Sequence, residues 1–217
     1  MNINDKCGST NLKVIQQLVL DKQADIGISF DGDGDRIMAV DNKGQEVDGD
    51  HILAICASYL KNKNKLLKNT IVGTIMTNMG LDIYLKTKGI NIVRTDVGDR
   101  YVLEEMLRSG YVLGGEQSGH IIFLNHNTTG DGLATGLHLL EVMKSTGETL
   151  AELNSEIVDY PQVLKNARVD NALKYSYMEN REIKKEIERI EKLFYGQGRV
   201  IIRPSGTEPL VRVMIEG

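Results

Sequence analysis

The sequence predicts an α/β protein: a mixed, largely parallel sheet with its helices, followed by a smaller α+β C-terminal domain. Three observations lead there. Short β-branched apolar segments alternate with helix-length ones from about residue 24 to residue 147, which is the pattern of βαβ units. Glycines stand where several of those helices must stop. After Pro161 the alternation gives way to a strand, a helix and two closing strands.

Asn11 to Leu20 reads as a helix, and "ADIGISF" (Ala24 to Phe30) as a buried-type strand that delivers an acidic loop. "RIMAVD" is the returning strand, and Asn42-Lys43-Gly44 makes a turn. Ile52 to Leu60 carries a mostly apolar face and reads as a helix. "TIVGTIM" (Thr70 to Met76) is a strand, and Leu81 to Lys88 is a helix stopped by Gly89. "INIVRT" is a strand, Asp99 to Arg108 a helix ended by Gly110, and "YVLGG" and "HIIFL" are two more strands. A helix from about Asp131 to Lys144 closes at Gly147. Beyond a boundary near residues 157 to 162, "VLKNARVD" is strand-like. Glu182 to Phe194 is amphipathic, with Ile183, Ile187 and Ile190 at helical spacing. "GRVIIRPSGTEPLVRVMIEG" gives two strands around a Pro/Gly loop.

With 217 residues, 41% of them hydrophobic, the chain can bury real cores. A net charge of −4 gives no electrostatic case for nucleic acid or an anionic membrane. No apolar run approaches the ~20 residues that span a bilayer, and the N-terminus lacks the apolar core of a signal peptide. Cys7 and Cys56 form no CxxC pair. The expectation is a soluble cytoplasmic protein with reduced thiols, in which Cys7, Cys56, His51, His126 and His138 are structural.

"FDGDGDR" places Asp31, Asp33 and Asp35 at alternate positions, separated by glycines and closed by Arg36. Oxygen ligands so spaced in a loop flexible enough to converge them suit a hard divalent cation. An EF-hand would need Gly at loop position 6 and Glu at position 12; Arg36 and Asn42 stand there instead. A solvated acidic turn is the plain alternative. Three carboxylates fill only part of a Mg²⁺ sphere, which leaves room for a phosphate oxygen and points to phosphoryl transfer. Arg36 is the forked donor to that phosphate.

Two further loops fit such a substrate. In "RPSGTEP", Arg203, Ser205 and Thr207 plus the Gly206 amide offer convergent donors to an oxyanion; an ordinary Pro/Gly turn is the alternative. In "GGEQSGH", Glu116, Ser118 and His120 alternate, so an extended segment would aim all three to one side. A carboxylate and a hydroxyl aimed together suit sugar hydroxyls, with His120 assisting proton transfer or serving only structure. Asp99 and Asp131 have simple readings as helix starts or caps.

"DGDGDR", "GEQSGH" and "RPSGTEP", in this order, resemble the α-D-phosphohexomutase superfamily, and the likeness covers essentially the whole chain. "NINDKCGST", "VGDRYV" and "TTGDG" are most similar to its bacterial branch that acts on glucosamine phosphates. The resemblance implies a phosphohexomutase-type fold, with residues 1–46 the remnant of a second domain holding the metal loop. Residues 47–158 would be the sugar-recognising third domain, and 159–217 most of the phosphate-binding fourth. It implies Mg²⁺ on Asp31, Asp33 and Asp35, with Arg36 at the transferred phosphate. Glu116, Ser118 and neighbouring His120 would serve the sugar, Gly98 and Asp99 its contact loop, and Arg203, Ser205, Gly206 and Thr207 the phosphate that does not react.

The implied activity interconverts glucosamine 6-phosphate and glucosamine 1-phosphate through a phosphoserine and a bisphosphate intermediate, on the route to UDP-N-acetylglucosamine. The phosphoserine belongs to a "SHNP"-type loop of a first domain, and none of the nine serines here has that context. The expectation is therefore a later part of a longer enzyme, inactive alone. Its partners would be a hexosamine phosphate and the domains before it, with a homodimer as the full-length form. Phosphomannomutase or phosphoglucomutase activity, or a non-catalytic sugar-phosphate binding module, are the alternatives.

Overall fold

The structure, a computed structural model, describes residues 5–205 and 208–217. It divides into two compact units, Met1–Val158 and Asp159–Gly217.

The first unit opens with helix α1 (Lys13–Lys22), strands β1 (Ile26–Phe30), β2 (Ile37–Asp41) and β3 (Glu46–Val47), and helix α2 (Gly49–Asn62). β1, β2 and β3 form an antiparallel sheet in that order. Ile15 and Val19 of α1 sit on Gly27 of β1. The β2–β3 turn is an Asx type, in which Asp41 Oδ1 accepts the amides of Lys43 and Gln45 at 2.8 and 2.9 Å. Helix α2 begins three residues before the apolar run suggests, because Asp48 caps it by accepting the His51 N–H. Its first nine residues are all buried.

Next come β4 (Thr70–Thr74), α3 (Met79–Thr87), β5 (Asn91–Thr95), α4 (Asp99–Ser109), β6 (Leu113–Gly115), β7 (Ile121–Phe123), α5 (Gly132–Thr146) and α6 (Leu150–Ser155). These strands make one sheet in the order β5-β4-β6-β7. β4 runs parallel to both β5 and β6, and β7 lies antiparallel on β6. The sheet is thus mixed and largely parallel, as the alternation implies. β4 is shorter than its apolar run because Thr77 Oγ1 accepts the Thr74 N–H and turns the chain. α6 is an element the apolar pattern does not announce; a Thr149/Glu152 capping box starts it. One core runs from Ile37 and Val47 through Ile52, Leu53, Ile71, Leu85 and Leu113 to Leu139 and Leu150. Each such side chain contributes roughly 1.5–3 kcal/mol on burial. Because β4, β5 and β6 are parallel, the loops at their carboxyl ends share one edge of the sheet, where α/β proteins place ligands.

The second unit is an antiparallel sheet of β8 (Gln162–Arg168), β9 (Arg199–Pro204) and β10 (Leu210–Glu216) with helix α7 (Arg181–Leu193), β10 being central. Asn180 caps α7, and Val211 and Met214 of β10 are buried.

Candidate active site

The pairing of Phe30 with Ile37 makes the acidic stretch the loop of the β1–β2 hairpin, spanning residues 31–36. Ligand oxygens of Asp31, Asp33 and Asp35 lie within 4.8 Å of one another. Burial raises the Asp31 carboxyl, but the Arg36 amide donating to it at 3.1 Å and the hydrogen bond shared with Asp35 leave it below the usual carboxylate range. Asp35 is pushed up, first by burial and then by its hydrogen bond and charge contact with Asp31. The two neighbouring carboxyls, sharing a hydrogen bond, are thus shifted in opposite directions. Arg36 Nε lies 3.9 Å from Asp31 and 4.0 Å from Asp35, with a side chain about half exposed.

The acidic loop is tied to two others. Gly132, the first residue of α5, donates its N–H to Gly34 O at 2.9 Å. Asp131 caps α5 by accepting the Ala134 amide at 2.9 Å. His120 makes the other tie. Its ring is buried, Nδ1 lies 3.1 Å from Asp35 Oδ2, and Nε2 accepts the Gly130 N–H at 3.0 Å. With Nε2 accepting this hydrogen bond, Nδ1 of the neutral ring carries the hydrogen and donates to Asp35.

This geometry corrects the reading of residues 116–120 as an extended segment with three side chains on one side. The Gly119 N–H donates to Glu116 O at 3.0 Å, so the stretch is a turn. Gly119 has φ 90°, and a Cβ there would stand 2.0 Å from Ile37 O. The turn brings His120 to the acidic loop, beside Asp35. Both ring nitrogens are engaged within the chain, Nδ1 by Asp35 and Nε2 by the Gly130 amide.

Glu116 is partly buried and Ser118 exposed. Glu116 Oε1 accepts the Gly98 N–H at 3.0 Å, which joins the loop after β6 to the loop after β5. Gly98 precedes α4, and Asp99 is the exposed first residue of that helix.

In the second unit Arg203 lies on β9 opposite Arg212. Ser205 is buried; its Oγ accepts the Glu208 N–H at 3.2 Å, and its carbonyl accepts from Lys174 Nζ at 2.8 Å. Gly206 and Thr207 lie outside the described residues. Lys174 is the contributor that sequence reading misses, since nothing in "NALKY" distinguishes it from a surface lysine.

A family model for the phosphoglucomutase/phosphomannomutase alpha/beta/alpha domain III matches residues 48–160, and one for the C-terminal domain of the same proteins matches 164–217. The chain is 60% identical over 215 residues to a phosphoglucosamine mutase of Thermoanaerobacter sp. (strain X514), covering 99% of this chain and 48% of that one. It is 59% identical over 217 residues to one of Alkaliphilus metalliredigens, covering 100% and 48%. It therefore spans about half the length of these relatives. Among solved structures, a Burkholderia thailandensis phosphoglucomutase/phosphomannomutase family protein shares 24% identity at a TM-score of 0.78, covering 96% of this chain and 46% of that one. Aspergillus fumigatus N-acetylphosphoglucosamine mutase, in complex with GlcNAc-6P and magnesium, shares 22% at 0.75, covering 98% and 53%. At these identities the two structures bear on the fold alone.

Proposed function

The chain belongs to the phosphoglucomutase/phosphomannomutase family, and from that premise we propose that it is the later half of a phosphoglucosamine mutase. Its reaction is the interconversion of glucosamine 6-phosphate and glucosamine 1-phosphate. The observation that carries this reading is the metal loop, three converging carboxylates joined by His120 to the loop that bears Glu116. The identity near 60% with phosphoglucosamine mutases supports the amino sugar over the other hexose phosphates.

Asp31, Asp33 and Asp35 would hold Mg²⁺, whose charge offsets the negative charge of a transferring phosphoryl group. The fit rests on the donor set: three hard oxygen ligands within 4.8 Å of one another. The remaining roles belong to the chain's own groups. Arg36, held beside the loop by its amide, presents a guanidinium to phosphate oxygens. His120 fixes the Asp35 carboxylate by donating from Nδ1. Glu116 holds the Gly98 amide with Oε1, leaving Oε2 to accept from a sugar hydroxyl, and the exposed Ser118 hydroxyl serves the same end. Gly98 and Asp99 belong to the sugar-contacting loop. In the second unit Arg203, Ser205, Gly206 and Thr207 form a phosphate-binding loop, with Lys174 bracing the Ser205 carbonyl.

The serine that carries the phosphoryl group lies, on this reading, in the half of the relatives that the chain does not span. The chain alone is then inactive, and the complete enzyme works in the cytoplasm. The test is turnover by the complete enzyme on glucosamine 6-phosphate, glucose 6-phosphate and mannose 6-phosphate, with Mg²⁺ and the matching bisphosphate. A preference for glucosamine 6-phosphate supports the assignment. Preference for either hydroxyl sugar overturns the substrate, and turnover by the 217-residue chain alone overturns the missing-nucleophile reading.

A further inference from the structure

Asp50 is a buried carboxyl group with no part in the chemistry above. It is the second residue of α2 and is 0% exposed. Its Oδ2 accepts the Asn78 N–H at 2.7 Å, while Oδ1 has no hydrogen-bond partner among the described residues. The residue before it is tied to the sugar loop: the Gly49 N–H donates to Gln117 O at 3.0 Å. Contact there is so close that a Cβ on Gly49 would stand 2.0 Å from Glu116 O. Two consecutive residues of α2 thus hold two different loops.

The loop held by Asp50 follows β4, the strand between β5 and β6. It therefore stands between the loop of Gly98 and the loop of Glu116 at one end of the sheet. Other bonds brace it: Arg94 Nη1 donates to the carbonyls of Thr74 and Thr77 at 2.9 and 3.0 Å. The Ile75 amide donates to Thr95 O at 2.9 Å. Asn78 in turn starts α3 by accepting the Gly80 N–H. Asp50 ties this loop to the helix carrying the sugar-loop tie.

We propose that Asp50 is a positioning residue for the sugar end of the site: through Asn78 it sets the loop after β4 against the loop that carries Glu116. The proposal rests on the reading of Glu116 as a sugar-recognition residue. The groups that face Asp50 are Asp48 and His51 of its own helix and Arg94 of β5, which pairs with Asp82 of α3. Burial first, then the charge of Asp48, pushes its carboxyl up to about 8. Near neutrality the site accordingly holds the acid form. Above that pH a charge develops in a buried place beside Asp48, and the loop loosens. Asparagine is close in shape to the acid form and keeps an acceptor for the Asn78 amide.

The test has two arms. In the 217-residue chain, amide hydrogen exchange at residues 75–78 and 116–119 reads the loops without turnover. Asp50→Ala is expected to speed exchange there by about tenfold or more at pH 7, as loss of a buried hydrogen bond implies, while Asp50→Asn leaves it near wild type. In the complete enzyme, KM for glucosamine 6-phosphate is expected to climb from pH 7 to pH 9 in wild type. The climb should flatten in Asp50→Asn, with kcat changing less than KM. Unaltered exchange at both loops in Asp50→Ala, or identical KM profiles for wild type and Asp50→Asn, overturns the proposal. If Asp50→Ala does not fold, the Asp50→Asn profile decides alone. A wild-type complete enzyme with no mutase turnover overturns the proposed function instead, and the exchange arm still decides whether Asp50 holds the loops.

Discussion

Replacing His120 with alanine removes the side-chain tie between the acidic loop and the loop before α5, and the cost can be worked from the ring's two bonds. The backbone bond from the Ile37 N–H to Gly119 O remains. The ring is 2% exposed, with Nδ1 donating to Asp35 at 3.1 Å and Nε2 accepting the Gly130 amide at 3.0 Å. Without the ring, the Gly130 N–H is buried with no acceptor, a loss of about 1–3 kcal/mol. The Asp35 bond adds less, because that side chain is 33% exposed and partly screened. The space the ring vacates beside Gly130 adds a packing term. Together these come to roughly 2–4 kcal/mol, or a fall of roughly 5–15 °C in the midpoint of a unit of this size. The assays are thermal unfolding of the chain by circular dichroism and a Mg²⁺ titration by calorimetry. Mg²⁺ affinity should fall by roughly 10–100-fold, since Asp35 loses the partner that orients it. An unchanged midpoint together with an unchanged Mg²⁺ isotherm would refute the assignment of His120 as the link.

Gly49→Ala should drive the loop of Glu116 outward, since the new Cβ meets its backbone at 2.0 Å; a loss of roughly 1–3 kcal/mol is expected by urea unfolding. Wild-type stability would mean the loop moves freely. Asp131→Ala removes the cap of α5 and should cost about 1 kcal/mol in the same assay, a value near zero contradicting the capping role. For Asp50 the folded-state carboxyl is raised, to about 8 against an ordinary 3.8. Its stabilising contribution is therefore fully present below the ordinary value and is lost as pH rises to about 8. The slope is at most ~1.4 kcal/mol per pH unit for one proton. Urea midpoints from pH 4 to pH 9 should show this decline in wild type and its absence in Asp50→Asn. Parallel profiles would contradict it.

Much of this fold is legible because local rules and the tertiary structure agree. Gly110 and Gly147 end α4 and α5 in the left-handed conformation, where their positions in the sequence put the stops. The acidic loop is legible because alternate carboxylates between glycines have few other uses. The strand order β5-β4-β6-β7 is not, since periodicity says which residues pair with a core and not which strand lies beside which. The alternation argument misplaces His120 because it assumes an extended chain, whereas the Gly119–Glu116 hydrogen bond makes a turn. Asp50 looks like an ordinary acid in the first turn of a helix, where negative charge is favoured and solvated. It is instead fully buried, and its hydrogen-bond partner Asn78 lies 28 residues away, which no local pattern encodes. α6 had a readable signal, the Thr149/Glu152 box, but it is too short for an apolar period to register.

The central claim is that Asp31, Asp33 and Asp35 form the metal loop of a phosphosugar mutase. The measurement that meets it most directly is turnover of glucosamine 6-phosphate by the complete enzyme with Mg²⁺, wild type against Asp33→Ala, with thermal midpoints taken on the same samples. Asp33 is exposed, so its midpoint should stay within a degree or two, on the order of a surface substitution. Turnover should fall by about a thousandfold or more, several kcal/mol of transition-state stabilisation. Turnover within tenfold of wild type, at an unchanged midpoint, would contradict the claim.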